Sequence, residues 1–262
     1  MRALRGGAKA LLFQLGLPAV LIGLWWLLAA RSTNFYYPTL DEILSAFRET
    51  WFSDRFVDDI LPSLGRLLAG YLGAVVIGVG LGVLLGSRRR LRALLEPVLE
   101  FFRAVPPPVL IPVLMLFSGI GDTMKIVVII TGAVWPVLLN TVEGVRAIDD
   151  VLADTARCYG LAGPARLRRL VLPAASPQIV AGMRQALSIS IILMVIGEMF
   201  ASSSGLGFAI VQFQRSFAIP EMWSGILLLG LLGFGLSLLF GLFESRVLRW
   251  HRGLRQSQRG EK

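Results

Sequence analysis

The sequence predicts an all-α membrane protein, a polytopic bundle of six transmembrane helices, and three observations carry that prediction. Apolar residues make up 55% of the 262 and charged ones only 16%, against about 25% charge in an average soluble domain, and mean hydropathy is +0.70. Apolar runs recur along the chain at about the twenty-residue length that crosses a hydrocarbon core at 1.5 Å per residue. Most of the 26 basic residues gather in clusters between alternate runs, as the positive-inside rule requires. The formal charge of +9 therefore belongs to membrane topology and not to a nucleic-acid surface, because the cations flank apolar spans instead of lining one face of a soluble fold. The whole chain, 1–262, reads as one transmembrane domain with its core at 62–245.

The first span, 11–30, is uncharged. A basic start followed by an apolar run also describes a secretory signal. Here the run exceeds the roughly 7–15 residues of a signal core, and Leu28-Ala29-Ala30 is only a partial cleavage pattern, so a retained helix is expected. The segment 31–61 is the sizeable external one. Within it Thr39-Leu40-Asp41-Glu42 fits a capping box, and Ile43, Leu44 and Phe47 follow at helical spacing. An amphipathic helix there suits either a docking surface for an external partner or a connector resting on the membrane.

The second span, 67–86, carries a small residue every four positions: Gly70, Ala74, Gly78, Gly82 and Gly86. Such a stripe lets helix backbones approach closely, and it marks a packing interface within the subunit or between subunits. The third, fourth and fifth spans, 97–117, 125–142 and 179–200, are interrupted by Arg103, Pro106, Pro107, Pro108, Pro136, Arg184 and Glu198. Helices shielded from lipid tolerate such residues, so these three are expected inside the bundle. The last span is 222–243.

The arginines orient the chain. With six spans, one side holds Arg2, Arg5 and Lys9, then Arg88, Arg89, Arg90 and Arg92, then Arg146, Arg157, Arg166, Arg168 and Arg169, and finally the cluster from Arg246 to Lys262. The other side holds Arg31, Arg48, Arg55, Lys125 and Arg215. Both termini are thus expected in the cytoplasm.

No catalytic signature is present. The single histidine, His251, falls in the basic tail, the three lysines, Lys9, Lys125 and Lys262, have no Walker A setting, and the single cysteine, Cys158, allows no intramolecular disulfide. No metal-ligand spacing or Gly-x-Ser-x-Gly appears. A non-enzymatic chain without a bound cofactor is the expectation.

The most informative stretch lies in the cytoplasmic segment 143–177. Asp154, Thr155 and Ala156 are followed three residues later by Gly160, and then by Leu170, Leu172 and Pro173. At every spacing this resembles the EAA motif of binding-protein-dependent ABC importer permeases, with aspartate for glutamate, threonine for the first alanine and Leu170 for isoleucine. The resemblance extends to Phe102-Arg103-Ala104-Val105-Pro106, Phe117-Ser118-Gly119-Ile120-Gly121, Gly197-Glu198 with Gly205-Leu206-Gly207, and Tyr37-Pro38-Thr39-Leu40. These are similar to permeases of the sulfonate, taurine and nitrate branch, which also has relatives for bicarbonate and thiamine-precursor pyrimidines.

The resemblance implies a type I ABC importer permease in the bacterial inner membrane. It would work as a homodimer with two ATPase subunits, which use ATP and Mg2+, and with an extracytoplasmic solute-binding protein; no nucleic acid is implied. Asp154, Thr155, Ala156, Gly160, Leu170, Leu172 and Pro173 would form the coupling element that docks on the ATPase. The residues agree physically. Short helices broken at Gly160, with apolar anchors and solvated arginines, make a projection that fits a groove, and Pro173 and Pro177 are expected to end it and restart the chain as a span.

Four residues are candidates for the translocation path or its gating: Glu198, Arg103, Ser188 and Ser190. A bare carboxylate suits an anion path poorly, which favours a structural or gating role for Glu198. Arg103 would either neutralise an anion in transit or snorkel to the inner headgroups. The alternative is a stand-alone proton-coupled secondary transporter using Glu198. Such proteins show repeated halves, and no second copy of the motif or span pattern is found here. A membrane scaffold would leave the glycine- and proline-broken inner spans without a reason.

Overall fold

The computed structural model describes residues 16–17, 20–29, 34–200 and 202–250, and among them every regular element is helical. In chain order these are α1 (Val20–Ala29), α2 (Leu40–Trp51), α3 (Leu61–Ser87), α4 (Arg89–Ala104), α5 (Ile111–Ser118), α6 (Asp122–Arg146), α7 (Asp150–Cys158), α8 (Gly163–Arg166), α9 (Leu172–Phe200), α10 (Leu206–Arg215) and α11 (Ile219–Val247). Arg2, Arg5, Lys9, Arg31 and the basic tail from His251 onward lie outside the described residues.

Among the described residues, four helices are long and apolar enough to cross a membrane: Phe56–Ser87, Asp122–Arg146, Gly163–Phe200 and Ile219–Val247. A fifth crossing exists if Arg89–Ala104 and Pro107–Ser118 form one span, and those two are bent by 83°. The expected span at 97–117 is therefore bent and not one straight helix. Pro106, Pro107 and Pro108 supply the reason, since consecutive prolines remove backbone donors and push the preceding residues out of the α region. Of the expected first span, Val20–Ala29 is helical, and much of the remainder lies outside the described residues.

The chain divides into two units. One comprises Met1–Phe56 and Ala209–Leu228. Its organiser is α2, whose capping box is complete: Glu42 Oε2 accepts from the Thr39 N–H at 2.8 Å, and Thr39 Oγ1 accepts from the Glu42 N–H at 3.3 Å. Ile43, Ala46 and Trp51 form its buried stripe, while Leu44 is exposed. Trp51 donates its indole N–H to Ser224 Oγ at 3.0 Å and meets Phe213 edge-on. This satisfies the polar end of a ring whose body is buried.

The second unit comprises Val57–Phe208 and Leu229–Lys262. Its centre is α6, which packs along both α3 and α9. The small-residue stripe of α3 faces α6 within the subunit. A Cβ added at Gly70, Gly78, Gly82 or Gly86 would lie 2.5–2.7 Å from Ile129, Val137, Thr141 or Val145 respectively. Ala74 is wholly buried in the same stripe. The other face of α6 is as tight: a Cβ at Gly182 of α9 would stand 2.6 Å from the Pro136 carbonyl oxygen. Backbones in near contact maximise dispersion where lipid removes the hydrophobic drive between helices.

Candidate functional site

Two places in the second unit concentrate polar chemistry, and α9 connects them. The first is the segment from Asp149 to Pro173. Asp149 caps α7, its Oδ1 accepting from the N–H groups of Val151 at 2.9 Å and Leu152 at 3.2 Å, which satisfies two of the donors a helix start leaves free. Ala153 and Ala156 turn inward and are buried, whereas Val151, Leu152, Asp154, Thr155, Arg157 and Tyr159 are exposed. Two small residues on the inner face let α7 lie flat, and the outer face mixes aliphatic, aromatic and charged groups.

Asp154 Oδ1 pairs with Arg157 Nη2 at 2.9 Å, both side chains exposed. Thr155 Oγ1 donates back to the Val151 carbonyl at 2.7 Å. The hydroxyl is thus spent on its own helix, and threonine presents little more than a methyl group where the motif has alanine. The helix closes as a Schellman motif, with the N–H of Gly160 donating to the Arg157 carbonyl and that of Leu161 to the Ala156 carbonyl, both at 2.9 Å. Gly160 has φ +67°, and a Cβ there would meet nothing within 4 Å. The requirement for glycine is conformational, not steric.

The chain then re-enters helix at Gly163 and does not leave it until Phe200, which corrects the expectation that Pro173 and Pro177 end the projection. A π-turn, Leu167–Val171, precedes Pro173, with the Leu172 N–H donating to the Leu167 carbonyl. That wide turn and the position of Pro173 in the first turn of α9 absorb the missing donor, so the projection and the span are one continuous rod. Leu170 and Val171 are buried, Leu172 is half-buried and Pro173 is exposed. Val171 and Leu172 pack with Val145, Ile148, Ala175 and Ile179. The motif residues thus divide: Asp154 and Thr155 are presented outward, while Leu170 and Leu172 anchor.

The second place is at the far end of α9. Glu198 is 0% exposed. Its Oε1 accepts from Arg66 Nη1 and from Ser63 Oγ, each at 2.7 Å, and its Oε2 from the Gly207 N–H at 3.0 Å. Ser63 Oγ in turn accepts from the Leu206 N–H at 2.9 Å. Arg66 completes its own set with Asp122 Oδ1 at 2.7 Å and with the carbonyl and Oγ of Ser204, both at 3.0 Å. The Gly205 N–H donates to Asp59 Oδ1 at 2.8 Å. Buried Lys125 lies 3.8 Å from Asp122. The starts of α3 and α6, the end of α9 and the turn 202–207 are tied by this one network. Gly205, at φ +115°, has no room for a side chain, since a Cβ would stand 2.5 Å from Glu198 Oε1 and 2.7 Å from Arg66 Nη1.

The other path candidates lie apart from it. Arg103 Nη2 pairs with Glu100 at 2.6 Å on an exposed face of α4. Ser188 is exposed, and Ser190 is buried with its Oγ donating to the Ala186 carbonyl at 2.8 Å. No hydrogen bond or ion pair among the described residues joins Arg103, Ser188 or Ser190 to Glu198. Sequence reasoning passed over Arg66, Ser63, Asp59 and Asp122. The available signal was depth: Arg66 begins the second span and Glu198 nearly ends the fifth, so a six-span topology puts these opposite charges at the same face of the membrane.

A motif-bearing projection, a continuous helical rod and a buried ionic network thus follow one another in a single unit. Residues 74–249 match the family described as the binding-protein-dependent transport system inner membrane component, and the chain belongs to that family, as the permease subunit of an ABC importer. The nitrate import permease protein of Leptolyngbya laminosa is 31% identical over 236 residues, covering 87% of this chain and 85% of that protein. The taurine transport system permease protein of Escherichia coli (strain K12) is 27% identical over 251 residues, covering 93% and 91%. Among solved structures, a chain of the MetNI methionine ABC transporter in an inward-facing conformation superposes with a TM-score of 0.62 over 74% of this chain and 95% of that one, at 23% identity. The fold is thus that of the ABC importer permeases, and a stand-alone proton-coupled transporter is not favoured. The carboxylate it would use is sealed from solvent and neutralised by Arg66.

Proposed function

We propose that the segment 149–173 is the element through which a separate ATPase drives this permease, and that Glu198 and Arg66 latch the opposite end of the same rod. The observation that carries the reading is the build of α7. A nine-residue helix, capped by Asp149, closed at Gly160 and seated on two alanines, shows its Val151, Leu152, Asp154 and Tyr159 face to whatever lies beyond the span ends. From Pro173 to Glu198, α9 runs about 40 Å at 1.5 Å per residue. A displacement of α7 by ATPase closure is therefore delivered by a stiff helix to the ionic network, whose opening and closing gives alternating access.

The partners follow from the family: a second copy of this chain, two ATPase subunits carrying ATP and Mg2+, and an extracytoplasmic binding protein that delivers the solute. In this reading α7 and both termini face the cytoplasm, and the Glu198 network faces the delivery side. The cargo is a small anion of the sulfonate, taurine or nitrate kind. Arg66 and Lys125 put two cations at that end, both buried, while Glu198 answers Arg66 and leaves no bare carboxylate on an anion route.

Reconstitution of the permease with its ATPase and binding protein tests the coupling. Asp154→Lys and Gly160→Val are expected to abolish binding-protein-stimulated ATP hydrolysis while the chain still inserts and folds. Normal stimulation in both variants would remove the docking role. A binding screen of the partner protein against sulfonates, nitrate and bicarbonate tests the cargo, and a preference for a cationic or neutral solute would overturn it.

A further inference from the structure

The motif segment forms one wall of a second feature that the coupling role does not use. A cavity of about 610 Å³ opens beside α7 and is lined by Arg89, Arg92, Arg146, Arg157 and Arg166, with Asp150 as its one carboxylate. Like-charged guanidinium groups repel unless something anionic lies between them. Two of the five have partners on their own helices, Arg146 with Glu143 at 2.7 Å and Arg157 with Asp154 at 2.9 Å. Among the described residues, no ion pair or side-chain hydrogen bond engages Arg89, Arg92 or Arg166. The Nε of Arg92 is moreover buried with no acceptor. A buried, unpaired guanidinium N–H is costly, which makes an acceptor from outside the chain the natural occupant.

Position decides which acceptor. The walls include Gly86 and Ser87 at the end of α3, Val145 and Arg146 at the end of α6, and Val171 just before α9. Three spanning helices thus leave the hydrocarbon at the level of this cavity, where lipid phosphates lie and where basic pockets between helices collect anionic headgroups. The guanidinium fork matches phosphate oxygens in pairs.

We propose that this cavity binds a phosphate-bearing anion, with the headgroup of an anionic phospholipid as its source in the bilayer and free inorganic phosphate as its soluble counterpart. The site goes beyond the coupling role: it lies between α7 and the ends of α3 and α6, and its occupancy would brace α7 against them.

The test uses the full-length chain in neutral detergent, with retained lipid read by native mass spectrometry as phosphatidylglycerol, phosphatidylcholine or inorganic phosphate is added. Phosphatidylglycerol is expected to be retained in preference to phosphatidylcholine. Arg89→Gln, Arg92→Gln and Arg166→Gln are each expected to weaken it about fivefold, from the contribution of one arginine near an anionic headgroup. Arg92→Lys, which keeps the charge but not the fork, is expected to fall between, and Arg48→Gln on α2 to change nothing. Should Arg89→Gln or Arg166→Gln fail to fold, the Arg92→Lys and Arg92→Gln pair carries the test. Inorganic phosphate displacing the lipid with the same arginine dependence would keep the phosphate site and assign the soluble source. Equal retention of both lipids, or retention indifferent to all three glutamines, would overturn the site. So would loss of the lipid on adding the ATPase together with failure of the glutamine variants to bind that ATPase, because the cavity would then belong to the protein interface.

Discussion

At one end of α9 Glu198 is out of solvent altogether and holds Arg66, Ser63 and the Gly207 N–H; near the other, Asp154 is 62% exposed and has Arg157 as its ion-pair partner. Both are carboxylates paired with arginine in the same unit of the same chain. They differ in what surrounds the pair. Removing one member of a buried pair leaves an uncompensated charge in a low-dielectric interior, whereas an exposed pair exchanges its partner for water at little cost. The first arrangement suits a joint that must hold until driven. The second suits a surface that must remain available to another protein.

The largest test of this contrast is to remove either half of the buried pair. Arg66→Ala or Glu198→Ala is expected to destabilise the detergent-solubilised permease by about 3–5 kcal/mol, measured by unfolding, with Arg66→Met combined with Glu198→Leu recovering most of the loss. Glu198→Gln should impair folding or gating and leave substrate preference unchanged. A clean switch of preference would place this carboxylate on the path.

A smaller effect probes the rod between the ends. Gly82→Leu should cost about 1–3 kcal/mol by overpacking α3 against α6, because a Cβ there already stands 2.5 Å from Thr141. Gly80→Ala on the open side of α3, where a Cβ meets nothing within 4 Å, should be silent in the same assay. Equal effects would show that the stripe does not set the packing.

At the exposed end, Gly160→Ala should cost about 1–2 kcal/mol locally for its positive φ and show mainly as reduced stimulated ATPase activity. Gly160→Asn should be milder, as asparagine tolerates the left-handed region. The smallest expected change is Arg103→Gln, within about 0.5 kcal/mol in stability for an exposed helical pair and without effect on uptake. Weakened uptake of an anion at unaltered stability would return Arg103 to the translocation path.

The exposed end was legible in the sequence because its determinants are local. Asp154 and Gly160 lie at fixed spacings, and the Gly160 turn is a matter of backbone angles within one segment. The Thr39–Glu42 cap was legible for the same reason, as both of its bonds span three residues. The buried end was half legible. Glu198 stood out as a charge in an apolar span, but Arg66, just before the start of another, was passed over. Their separation of 132 residues along the chain leaves no periodicity for a pattern to reveal.

By itself, then, the sequence determined the all-helical membrane class, the small-residue stripe, the Thr39 cap, the Gly160 helix break and the family to which they belong, since each is a property of composition, period or short spacing. Tertiary structure alone decided that the stripe faces α6, that the triple proline bends the third span by 83°, that Pro173 sits inside a continuous rod, and that Arg66 answers Glu198. Those outcomes depend on which helix lies beside which. That choice is made by close backbone packing and by the cost of leaving a buried charge unpaired, and neither is a property of any one segment.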